Sequence, residues 1–165
     1  MTTSRKSHQH SPHPSDVPSG RSPALAPLHV LVGTWFVEMT HVALSAPVHG
    51  LKTYTWLEGG HFLIERTRFD HPDVPDSVAV IGADASGEGL SEHYFDSRGV
   101  LRVFEMTLEN GLWKVWRDES GFSQRFTGTF SADGQTLEVV GELSQDGMQW
   151  EHDFTHRYSK GKGAS

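Results

Sequence analysis

The sequence predicts an all-β protein: about ten antiparallel strands in an up-and-down meander, closed into a barrel over residues 28–159. Three observations carry the prediction. From Leu28 onward, apolar residues recur with a period of two rather than 3.6. The 165 residues include 17 glycines and an apolar fraction of only 36%, a balance that suits short strands and tight turns better than a helical bundle. Turn chemistry also separates successive alternating runs along the chain, as in a sandwich or barrel.

Residues 1–27 are rich in Ser, Pro, His and Thr, with almost no large apolar group before Leu25. Such a stretch buries too little surface to offset its ordering entropy. It is expected to be a disordered tail, dispensable through residue 24. His8, His10 and His13 have a spacing that could hold a metal weakly, but they read more simply as part of a polar leader. The positive charge near the start has no apolar stretch behind it, which argues against a secretory signal.

Leu28 to Val32 reads as one helical turn. Strands follow at about 33–43, 49–58, 61–69, 77–83, 88–96, 100–108, 111–118, 121–131, 135–144 and 148–159. Between them stand Glu58-Gly59-Gly60, Asp96-Ser97-Arg98-Gly99, Glu109-Asn110-Gly111, Ala132-Asp133-Gly134 and Gln145-Asp146-Gly147. Asn-Gly and Asp-Gly supply the positive φ angles of tight hairpins. Asp96 should bond its own backbone in its turn. Pro72 and Pro75 mark one longer loop. Residues 160–165 are expected to be a flexible tail. A meander this long closes on itself or leaves two adhesive edges, and closure is the usual solution.

Composition narrows the function classes. No apolar run approaches the length of a membrane-spanning helix. The absence of cysteine excludes disulfides, thiolate catalysis and Cys-based zinc sites, and a cytoplasmic location is the default expectation. Residues 28–159 carry nine Lys/Arg against twenty Asp/Glu. That field repels phosphate backbones, so the expected partner is a small-molecule ligand or substrate, with no nucleic acid and no membrane.

Strand alternation indicates which side chains face the interior. On the last strand Trp150, His152, Phe154, His156 and Tyr158 alternate with Glu151, Asp153, Thr155 and Arg157, so the aromatic and His set should point inward. His152 and His156 would stand ~13 Å apart on a strand, too far to share a metal; no metal site is expected. Phe122, Gln124, Phe126 and Phe130 share a face, as do Arg102, Phe104, Met106 and Leu108, and Trp35, Val37, Met39 and His41. The strand at 88–96 is ambiguous, since His93 travels with Phe95 while Glu92 travels with Tyr94 and Asp96. Trp113 and Trp116 fall on opposite faces. Glu38, Glu65 and Glu105 read as lone carboxylates on solvated faces.

Several segments carry a family resemblance. Gly33-Thr34-Trp35, after an apolar turn, is similar to the Gly-x-Trp opening of calycin barrels. His93 to Gly99, Arg102 to Met106, Trp113 to Asp118, Gly121 to Gly134 and Trp150 to Phe154 together resemble a family of small calycin-like proteins, the domain of unknown function numbered 1579. The resemblance covers roughly residues 28–158. It implies a barrel with an internal cavity and no particular reaction. Two positions depart from the family pattern. Its ninth strand reads Gly-x-Trp-Glu where this chain has Val139-Val140-Gly141-Glu142, and its last strand has an apolar residue where this chain has His156. If both positions face inward, the cavity should be larger and more polar. A second resemblance is to the nitrobindins, ten-stranded haem barrels that open with Gly-Thr-Trp and bind iron through a histidine near the C-terminus. Phe36-Val37-Glu38-Met39 stands here where nitrobindins continue with alternating glycines and a Tyr-Pro.

The functional expectation is a barrel that binds a small, partly apolar or aromatic molecule. Trp35, His41, Arg102, Phe104, Gln124, Phe126, Trp150 and Phe154 are the expected ligand-binding set. The alternative is a cofactor-independent isomerase, cyclase or dehydratase using His152, His156 or Tyr158 as acid or base. No cofactor is expected. Haem, which would need one axial histidine, is the remaining alternative.

Overall fold

The computed structural model describes residues 20–161. A 3-10 helix at Pro23–Val30 precedes ten strands: β1 (Gly33–His41), β2 (Val48–Trp56), β3 (Phe62–Phe69), β4 (Ser77–Ala83), β5 (Leu90–Asp96), β6 (Leu101–Glu109), β7 (Leu112–Arg117), β8 (Ser123–Phe130), β9 (Thr136–Ser144) and β10 (Glu151–Lys160). Each strand pairs antiparallel with its sequence neighbours, and β10 pairs with β1 to close the barrel. Closure leaves no open edge. Turn residues make the short hairpins possible. Between β6 and β7, Asn110 (φ 52°) and Gly111 (φ 76°) both lie in the left-handed region, as a two-residue hairpin demands.

The helix plugs one end. Ser22 caps it, accepting a hydrogen bond from the Ala24 amide at 3.2 Å, and Pro23 starts it with its φ already set. Leu25, Leu28 and Leu31 are at most 1% exposed. They pack on the lower halves of the strands, where Trp35, Tyr54, Leu63, Ile81 and Leu137 form the densest part of the core. The Trp35 indole donates to the Leu31 carbonyl at 2.6 Å, and the Lys160 ammonium donates to the Val30 carbonyl at 3.0 Å. Both bonds satisfy carbonyls that the end of a helix leaves free.

The packed chain therefore extends beyond the expected limits of 28–159. Arg21 lies 4.0 Å over the Trp56 ring, and the Ser22 hydroxyl donates to the Gly87 carbonyl. The single turn expected at Leu28–Val32 is a longer helix, and Leu25 was the apolar anchor that the polar composition around it obscured. Lys160, expected in the tail, ends β10. Residues 1–19, with His8, His10 and His13, and residues 162–165 lie outside the described residues. Among the described residues no helix is long and apolar enough to cross a membrane.

The plug's weight can be measured. Leu28→Ala is expected to lower unfolding stability by about 2–5 kcal/mol, the range for deleting a fully buried leucine. Urea unfolding followed by tryptophan fluorescence reads it; a change below about 1 kcal/mol would mean that the helix is not part of the cooperative core.

Candidate functional site

Opposite the plug, the barrel holds a cavity of about 570 Å³. Its mouth is framed by the β1–β2, β3–β4, β5–β6 and β7–β8 connections, which contribute Leu44, Val74, Arg98 and Phe122. Pro72 and Pro75 shape the longest of these loops, the one between β3 and β4.

The floor is polar and buried. The Lys52 ammonium lies 2.7 Å from Glu65 Oε1, and the Thr67 hydroxyl donates to the same oxygen at 3.0 Å. Burial works against the Lys52 charge, but Glu65, Tyr158 and Glu92 together outweigh it and hold the ammonium above its usual range. Glu92 completes the floor. Burial pushes its carboxyl up to about 8, Glu65 adds to the rise, and Lys52 opposes it. At neutral pH Glu92 therefore keeps its proton while Lys52 stays charged. Burial also raises Tyr54 and Tyr158, which stay neutral.

The wall is a run of neighbouring rings, of which Phe154 and His156 stack. Phe104 and Phe126 have centroids 5.4 Å apart, Phe126 and Phe154 5.3 Å, and Phe154 and His156 4.3 Å with nearly parallel planes. His156 Nδ1 lies 3.1 Å from the Tyr158 hydroxyl. Burial, then Lys52 and His41, lower the imidazole to about 3, so it is neutral. Its Nε2 is covered by protein and has no hydrogen-bond partner among the described residues.

Two polar pairs stand nearer the mouth. His41 Nδ1 accepts from the Ala43 amide at 3.0 Å. That bond leaves the proton on Nε2, which points at Asp153 Oδ1, 3.0 Å away. Arg102 Nη1 donates to Gln124 Oε1 at 2.7 Å.

Of the residues expected at the site, His41, Arg102, Phe104, Gln124, Phe126, Phe154, His156 and Tyr158 line the cavity. Three do not. Trp35 is fully buried in the plugged end. Trp150 and His152 are outside: the Trp150 ring lies 4.1 Å beneath the outward-facing Arg125 guanidinium, and His152 is exposed. The cause is a bulge in β10. His152 pairs with Glu142 and Phe154 with Gly141, so Asp153 is an extra residue. The bulge advances the alternation by one, which turns His152 outward and brings Asp153, expected outside, to the mouth.

Glu65 corrects a second expectation: it is an interior ion-pair partner, not a solvated carboxylate. Lys52 and Glu92 were not singled out either. A signal existed, since Lys52 alternates in phase with Tyr54 and Glu65 with Leu63. The ambiguous β5 resolves with Glu92 and Tyr94 inside and His93 and Phe95 exposed. Trp113 lines the cavity, and the Asp96 turn forms as expected, with the Arg98 amide donating to Asp96 Oδ1 at 2.9 Å.

The two departures from the family pattern have different outcomes. A Cβ at Gly141 would overlap the Phe154 ring, so the space released at 141 is refilled rather than added to the cavity. His156 does face inward and makes the wall more polar.

His156 offers one nitrogen that is covered and one that is engaged by Tyr158. Both nitrogens of His41 are engaged as well.

Fold and cavity together define the class: a closed ten-stranded antiparallel barrel, plugged at one end, with an internal cavity at the other. No protein-family model matches the chain, and no curated protein matches it. Among solved structures it is similar to the crystal structure of Rv2717c from M. tuberculosis, at 10% identity and a TM-score of 0.62, over 86% of this chain and 99% of that one. A likeness at that identity shows the fold alone.

Proposed function

We propose that the protein is a lipocalin-like binding barrel, akin to the calycin family numbered 1579, that holds a small, partly apolar or aromatic molecule. The cavity carries this reading. It combines a continuous aromatic wall with a few converging polar groups, the usual composition of a small-molecule site. Its contents would be gripped by ring faces and oriented by Arg102, Gln124 and the floor.

The test is titration with the neutral fluorophore N-phenyl-1-naphthylamine. Saturable binding at one site is expected, weakened about tenfold or more in Phe126→Ala, in line with the loss of a buried aromatic contact. Unsaturable or absent binding would overturn the reading.

One observation favours an acid–base role as a second reading. Burial, with Glu65 adding to it, raises Glu92 to about 8, close enough to neutral pH to suit proton transfer. His152 is outside, and His156 and Tyr158 are shifted away from neutrality. Mass analysis of small molecules carried by the purified protein, before and after incubation, separates holding from converting.

A further inference from the structure

We propose that the mouth of the cavity contains an anion subsite centred on Arg102, and that the ligand is therefore an organic acid: an apolar or aromatic body bearing one carboxylate-like head group. This rests on the binding-barrel reading and specifies the ligand's chemistry.

The argument begins with which charges near the mouth already have partners. Arg98 is held by Asp96 through Nε at 3.1 Å and Nη2 at 2.6 Å. Arg117 donates to the Phe122 carbonyl at 3.0 Å and lies 3.6 Å from Glu119. Of the carboxylates lining the mouth, Asp153 on β10 is taken by His41, and Asp73 stands on the β3–β4 loop. Arg102 belongs to no ion pair among the described residues. Its partners are the neutral Gln124 amide and the Phe122 ring, 5.0 Å from the guanidinium carbon. By contrast Lys52, the cation on the floor, is paired.

A half-buried guanidinium without a carboxylate is partly desolvated and uncompensated. Burial, with Arg117 and then Arg98 adding repulsion, pulls its proton affinity below the ordinary arginine range. A bound anion would relieve both effects. The donors for it are present. A guanidinium has five N–H groups, and Gln124 absorbs one of them. Gln124 is buried at 5% exposure, and by giving its oxygen to Arg102 it leaves its NH2 group as a further donor. A fork of this kind matches a planar acid.

The order of residues along the strands supplies the rest of the ligand. Phe104 follows Arg102 by two residues on β6, and Phe126 follows Gln124 by two on β8. Two residues of strand span ~7 Å, so the aromatic wall lies one step deeper than the head-group donors. The head group would stay at the mouth while the body reached down the rings.

The experiment compares two naphthylamine probes, 8-anilinonaphthalene-1-sulfonate, which is an anion, and neutral N-phenyl-1-naphthylamine. In wild type both should bind and compete. Arg102→Met should weaken the anionic probe by about tenfold or more, as expected for losing a charge-assisted contact, and leave the neutral probe within about twofold, which also reports that the variant is folded. Wild type alone gives a second reading, in which decanoate displaces the neutral probe better than decanol does and the advantage shrinks with added salt. Equal displacement by decanoate and decanol, or an anionic probe indifferent to Arg102→Met, would overturn the subsite and leave the binding barrel standing. Failure of both probes to bind wild type would overturn both.

Discussion

Replacing Lys52 with Met is expected to destabilise the barrel by about 3–5 kcal/mol, the range for removing one partner of a buried ion pair. Lys52 is 8% exposed and Glu65 4%. Without the ammonium, the Glu65 carboxylate keeps the Thr67 hydroxyl as a donor but has lost the cation that compensates its burial. Total stabilities of domains are about 5–15 kcal/mol, so the variant would retain a fraction of the fold's margin. Combining Lys52→Met with Glu65→Leu should restore most of the stability, because an apolar pair of similar volume does not carry the desolvation cost. Urea unfolding of the two single variants and the double variant measures the coupling. A Lys52→Met variant within about 1 kcal/mol of wild type would mean that water reaches the floor freely.

Stability should pass through a broad optimum between roughly pH 4.5 and 6.5, the ordinary Glu and His values, with a separate residue behind each flank. Glu92 is raised to about 8, so the folded state binds a proton that the unfolded chain has already lost. Its stabilisation is complete below the ordinary Glu value and is lost as pH rises towards 8. His156 is lowered to about 3, so the unfolded chain binds the extra proton. Its stabilisation is complete above the ordinary His value and is lost as pH falls towards 3. Each flank should slope by about 1.4 kcal/mol per pH unit, and the two cancel where they overlap. Lys52, raised above its usual range, acts only at higher pH. Glu92→Gln should flatten the alkaline flank and His156→Asn the acid flank. Parallel wild-type and Glu92→Gln profiles between pH 6.5 and 8 would mean that Glu92 is already ionised in the folded protein.

Strand number, hairpins and most facings were legible because they depend on local periodicity. Phe104, Phe126, Phe154 and His156 could be placed in the wall from alternation alone. The exceptions share a physical cause. A bulge adds a residue without interrupting the alternating pattern, so nothing between Trp150 and Tyr158 announced that Asp153 is extra. The floor was hidden for another reason. A carboxylate belongs on a solvated face unless a buried cation meets it, and Lys52 and Glu65 meet only through the pairing of β2 with β3, diagonally across rungs two apart. The face of β5 was undecidable for the same reason, since its inward side carries Glu92 and Asp96.

The helix at Pro23–Val30 has a kinetic consequence. With one end of the barrel shut, any molecule held as proposed above would enter and leave by the same door, so its passage would be a reversal rather than a transit. Whatever is bound deepest goes in first and comes out last. The off-rate then belongs to the loops carrying Leu44, Val74 and Phe122, whereas the plug can be strengthened or weakened without changing how long a guest stays, provided the barrel remains folded.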